Sequence, residues 1–134
     1  MNKKYVTITG VNFYYGREVF HIGKKFYCRK DYFNSYDTEA IEVIDRALGT
    51  VGYVANSVTT IATGTMSAGR IYDRVGETFL IRVMFITNTK IICEVIKDNI
   101  TFNNKNFRKD KKVKGVKYAS KVNDNDDYDF NDLF

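Results

Sequence analysis

Short stretches of this chain alternate apolar and polar side chains with a period of two, the spacing of strands that bury one face. Tyr5–Thr9 alternates Val6 and Ile8 with Thr7 and Thr9, and Lys25–Lys30 sets Phe26 and Cys28 among longer polar residues. Residues 40–44 and 50–54 repeat the pattern more weakly. Residues 78–86 and 90–96 form the strongest strand pair, joined by Thr87-Asn88-Thr89, a short turn in which Asn tolerates positive φ. Between these segments, residues 10–16 place three aromatics between two glycines, where the chain is expected to bend and expose rings. Residues 31–37, rich in Asn, Ser and Asp, read as a turn.

Helical signals are few. Asn56 or Ser57 is placed to cap one short helix through about Thr63, although the β-branched Thr59 and Thr60 weaken it. Residues 64–70 read as a glycine-flanked loop. Six strands and one short helix predict an all-β chain, most economically a small, partly open, OB-like barrel. Beyond Lys97 the alternation fades into Asn-rich, then Lys-rich, then Asp/Asn-rich sequence with too few apolar residues to offset its ordering entropy. The reading is therefore a barrel domain over residues 1–100 and a disordered tail over residues 101–134.

Composition sharpens this picture in three ways. Ten Phe and ten Tyr, with no Trp or Pro, favour pleated and half-buried surfaces. Charge is segregated: residues 1–97 carry +4, residues 98–121 carry +6 and residues 122–134 carry −5, which make the net +5. A basic block beside an acidic tip is expected to be a solvated or interacting tail. No apolar run approaches the roughly 18 residues of a membrane span, and the N-terminus lacks the apolar stretch of a signal peptide, so a cytoplasmic protein is expected.

Catalytic chemistry finds little support. His21 is the sole histidine, and Cys28 and Cys93 stand 65 residues apart in apolar segments, as inert buried thiols do. No nucleophile–base–orienter set, metal cluster or cofactor motif is legible. The segment Gly64-Thr65-Met66-Ser67-Ala68-Gly69-Arg70 has backbone N–H groups and a cation suited to phosphate, but not the spacing of a P-loop. A plain loop, with Arg70 pairing to Asp73, is the simpler reading of it.

Three motifs carry the functional argument: Gly10-Val11-Asn12-Phe13-Tyr14, Asn34-Ser35-Tyr36-Asp37-Thr38-Glu39-Ala40-Ile41, and Gly49-Thr50-Val51-Gly52-Tyr53-Val54. Together they resemble the HIRAN domain, a small β-barrel module found alone in bacteria and phages and attached to eukaryotic DNA translocases. The resemblance spans about residues 5–97. It implies an OB-like barrel that captures single-stranded DNA at a free 3′-hydroxyl end, with no catalysis. Carried over residue by residue, Tyr36 packs against the terminal nucleotide and Asp37 accepts a hydrogen bond from its 3′-hydroxyl. Phe13 stands where the family has a tyrosine used against a base, so stacking is kept and a phenolic hydrogen bond is lost. Asn12 stands in place of an arginine, which removes a charged contact, and Tyr53 replaces a histidine at the pocket edge.

The implied binding face comprises Asn12, Phe13, Tyr14, Tyr36, Asp37, Tyr53 and Arg70, with single-stranded DNA as partner, RNA as the alternative strand, and genome repair, replication or phage genome maintenance as the setting. Each residue also has a structural reading. Phe13, Tyr14 and Tyr15 suit packing, and Asp37 suits a local turn that Tyr36 anchors to the barrel. The final eleven residues resemble the acidic tip of bacterial single-stranded DNA-binding proteins, with Leu133 and Phe134 as the pair that docks a repair or replication enzyme. A rival class is a protein-interaction module, such as a phage-encoded inhibitor of a host nuclease, whose aromatic face meets protein.

Overall fold

A computed structural model describes residues 3–101, and the basic block, the acidic tip and Leu133 and Phe134 lie outside the described residues. Among the described residues are six strands: β1 (Tyr5–Thr9), β2 (Lys25–Lys30), β3 (Ile41–Asp45), β4 (Gly49–Val54), β5 (Thr78–Ile86) and β6 (Ile91–Lys97). All pair antiparallel, in the order β1-β4-β3-β2-β5-β6, and β6 returns to β1 to close a barrel. The unit ends at Ile100. The expected all-β barrel is thus found, closed rather than partly open, with the predicted strands within a residue of the observed ones.

Period-two alternation gives the barrel its inside. Val6, Phe26, Val43, Phe79, Ile81 and Val83 point inward and are fully buried. Breaks in register within the β3–β4 and β5–β6 pairs bend the strands, as closure of so small a barrel requires. The narrowest seam is β1–β4, paired at Ile8↔Val54 and Thr9↔Tyr53 and extended by a bond from Ala55 N–H to the Thr7 carbonyl.

Gly52 sits beside this seam. A Cβ there would lie 3.0 Å from the Thr9 carbonyl oxygen and 3.1 Å from Ile8 Cγ2. The glycine of the Val-Gly-Tyr motif is therefore a packing requirement, since backbone cannot yield as a flexible side chain does. Gly52→Ala is expected to destabilise the barrel by about 1–3 kcal/mol, the usual cost of overpacking. Chemical denaturation checks this, and an unchanged midpoint would show that β1 and β4 part without cost.

The expected helix near residues 56–63 is not formed; that stretch is bends and turns. Its hydroxyls compete with the backbone: Thr59 N–H donates to Ser57 Oγ and the Thr60 hydroxyl to the Ser57 carbonyl. Farther on, Ala62 N–H donates to Thr7 Oγ1 on β1, tying the segment to the barrel instead of to itself. The helix lies instead at Ala68–Tyr72 (α1), beginning in the predicted loop and running past its end. Gly69 is a poor helix former, but a side chain there would meet Glu39 Oε1 at 2.5 Å.

Candidate nucleic-acid interface

The β2–β3 connection is polar because it folds around its own side chains. Asp31 Oδ1 accepts from Phe33 N–H, Asn34 Oδ1 accepts from the N–H groups of Tyr36 and Asp37, and Asp37 Oδ1 accepts from Glu39 N–H. Successive Asx turns of this kind replace the ladder bonds a strand would supply. A backbone bond from Asp31 N–H to the Ala40 carbonyl closes the loop at its base. The result is a loop with fixed backbone and outward rings: Tyr36 is 97% exposed and Phe33 96%. Asp37 thus makes the expected local turn, but Tyr36 does not anchor that turn to the barrel.

Two side-chain bonds fasten this loop to the rest of the site. The Tyr53 hydroxyl, on β4, donates to Asp31 Oδ2 at 2.8 Å. Burial, reinforced by that bond, raises the Tyr53 hydroxyl far above its ordinary pKa, so it stays a donor. Asn56, just past β4, donates to Asp37 Oδ2 at 3.0 Å and accepts from Gly69 N–H at 2.9 Å. Asn56 does cap a helix, then, but one that begins more than ten residues later in the chain. Ser67 Oγ accepts from Arg70 N–H, and the Ala55 carbonyl accepts from Ala68 N–H, completing the first turn of α1.

That arrangement decides the Gly64–Arg70 segment. The N–H groups of Thr65, Met66, Ala68, Gly69 and Arg70 all donate within the protein, so they do not cradle a phosphate. The exposed Arg70 side chain makes no ion pair among the described residues, with Asp73 or any other. Arg29, by contrast, is paired to Glu42 at 3.0 Å, and Glu42 also accepts from the Thr50 hydroxyl.

The aromatic segment after β1 is not a strand. Gly10, with φ of 75°, turns the chain into a short 3-10 helix, Val11–Phe13, so the three rings leave β1 in different directions. Val11 is buried, whereas Phe13 is 87% exposed. Tyr14 leans over Tyr53 with ring centroids 6.4 Å apart and tilted 37°. Tyr14, Tyr53, Asp31, Asp37, Asn56 and the start of α1 therefore form one connected patch. Asn12 and Phe13 instead line a cavity shared with the β5–β6 turn.

Sequence reasoning had no view of Asp31 and Asn56 as partners of Tyr53 and Asp37, because both bonds cross between separate segments of the chain. The one available signal was position: Asp31 directly follows β2 and Asn56 follows the Val-Gly-Tyr strand. Burial pushes the Cys93 thiol up to about 12, and the deeper Cys28 well above its ordinary value, so neither forms a thiolate near neutral pH. No helix among the described residues is long and apolar enough to cross a membrane, and no group of three metal-ligating side chains occurs among them.

No curated protein and no solved structure matches the chain. The HIRAN domain, known as a single-stranded DNA-binding module, matches residues 2–96. With the greater part of its 134 residues covered and a closed antiparallel barrel beneath the three motifs, the chain belongs to the HIRAN domain family.

Proposed function

We propose that this protein binds single-stranded DNA and captures its free 3′ end, serving repair, replication or phage genome maintenance. The observation that carries the reading is the β2–β3 loop, where a fully exposed Tyr36 ring stands beside Asp37 on backbone already fixed by Asx turns. A ring held out in water by a rigid loop loses little entropy when a base stacks on it. Each Asp37 oxygen accepts one hydrogen bond within the protein, which leaves a further lone pair on each for a terminal hydroxyl. Tyr14 and Tyr53 form the adjoining wall, and the exposed Arg70 supplies a cation for phosphate.

The test is a titration of fluorescent single strands carrying a free or a phosphate-blocked 3′ end, at two salt concentrations. The free end is expected to bind about tenfold more tightly, and both affinities to fall as salt rises. Equal affinity for the two ends would remove end capture while leaving strand binding. Absence of binding to either strand would favour the protein-interaction reading, in which the same exposed rings meet a protein partner.

A further inference from the structure

The outer wall of the barrel formed by β2, β5 and β6 gathers positive charge. Ile81 and Val83 are buried in the core, so Arg82 between them stands on the outside. Its register partners are Lys25 on β2 and Glu94 on β6, and two residues along β5 the exposed Lys97 faces Leu80. Lys3 reaches the same wall, with Nζ 3.6 Å from Glu94 Oε2. Glu94 thus stands among Lys3, Lys25, Arg82 and Lys97, and its ion pair goes to Lys3 rather than to Arg82.

Arg82 differs in this from Arg17 and Arg29. Arg17 donates to the carbonyls of Thr87 and Asn88, and Arg29 pairs with Glu42. Arg82 makes no hydrogen bond or ion pair among the described residues, and its Nε is buried without a partner. A buried N–H left unpaired costs stability. The residue is also well placed, because β5 is hydrogen-bonded to a neighbour on each side of it. A guanidinium fixed on a rigid wall, among other cations and without a counter-ion, suits a phosphate, whose oxygens accept two N–H bonds from its planar fork.

We propose that this wall is a second nucleic-acid contact, at which Arg82 binds a backbone phosphate of the strand whose 3′ end lies at the β2–β3 loop. β2 links the two places: Arg82 faces Lys25 at its start, and Asp31 directly follows its end. Its six residues, at about 3.3 Å each, separate the two by roughly 20 Å. A stacked strand advances about 3.4 Å per nucleotide, so the wall is reached about six nucleotides from the end. Phosphates carry no base information, so the contact is the same for every sequence. The proposal rests on the single-strand reading above and adds to it a contact remote from the end-binding loop.

The experiment titrates a thymine trimer and a thymine 15-mer, both with free 3′ ends, into the full-length protein and into Arg82→Met. Methionine keeps an apolar stem and removes the guanidinium. The 15-mer is expected to bind the variant about tenfold more weakly, the loss of a hydrogen bond to a charged group. The slope of its log affinity against log salt should shrink by about one. Trimer affinity should not change, and the melting temperature should not fall, since the variant loses a buried unpaired N–H. Arg82→Lys, which keeps the charge, is expected to keep the salt slope. An unchanged 15-mer affinity in Arg82→Met would overturn the wall contact, as would equal losses for trimer and 15-mer. A slope that falls as far in Arg82→Lys as in Arg82→Met would also overturn it. Each of these outcomes leaves end capture standing if the intact protein still prefers a free 3′ end. No binding of either strand by the intact protein would remove both readings together.

Discussion

Replacing the two most exposed rings of the proposed face, Phe13→Ala together with Tyr36→Ala, is expected to weaken single-strand binding by about 1–3 kcal/mol per ring. The melting temperature should not fall with it. Stacking on any base supplies this energy, because every base has a π-face, so the loss should be of similar size for strands of different sequence. The fold is expected to tolerate both changes, since the rings are 87% and 97% exposed and bury almost nothing within the barrel. Their backbone positions are held independently of the rings: Phe13 N–H donates to the Gly10 carbonyl and Tyr36 N–H to Asn34 Oδ1. Isothermal titration and a thermal melt on the same preparation separate the outcomes. Full affinity in the double variant would place the strand elsewhere or show that these rings meet a different partner.

Asp37→Ala should have the second large effect, erasing the preference for a free 3′ end at a cost of about 1.5–3 kcal/mol, the range for a hydrogen bond to a charged group. The structure adds a complication, because the Asp37 carboxylate also accepts from Glu39 N–H and from the Asn56 amide. Loss of end preference in Asp37→Ala alone would therefore not separate a ligand contact from a loosened loop. Asn56→Ala makes the separation, since it breaks the tether to α1 but leaves the carboxylate. End discrimination that persists in Asn56→Ala and vanishes in Asp37→Ala would assign the contact to the carboxylate. Equal loss in both variants would make Asp37 a loop-holding residue and sink its role in reading the terminal hydroxyl.

The strands are legible in the amino-acid sequence because a barrel wall is a local pattern repeated. Residues 5–9 and 25–30 set apolar side chains at every second position, which marks Val6, Ile8, Phe26 and Cys28 as inward. Residues 78–86 are instead a nearly continuous apolar run, in which Leu80 is as buried as Phe79 and Ile81. The expected bounds of β3, β4 and β6 differ from the observed ones by one residue, since strand ends depend on where the partner strand stops and not on the alternating residues themselves. The family motifs are equally visible, and the match over residues 2–96 agrees with them.

What local sequence could not determine was every feature in which one segment's backbone is satisfied by another. Residues 56–63 hold a credible cap and no Gly or Pro, but their N–H groups and hydroxyls find partners in Thr7 and in one another. Residues 64–70 hold two glycines, yet the last three of them open a helix because Ala55, Asn56 and Ser67 together occupy its first N–H groups. Tyr53 meets Asp31 and Asp37 meets Asn56 only once the barrel has brought the end of β4 to the β2–β3 loop. The residue types of the site are thus set in the chain, as aromatics, carboxylates and amides at turns. Their grouping is set by closure, because a hydrogen bond between residues distant in the chain is decided by which backbones the barrel leaves adjacent and which donors it leaves unpaired.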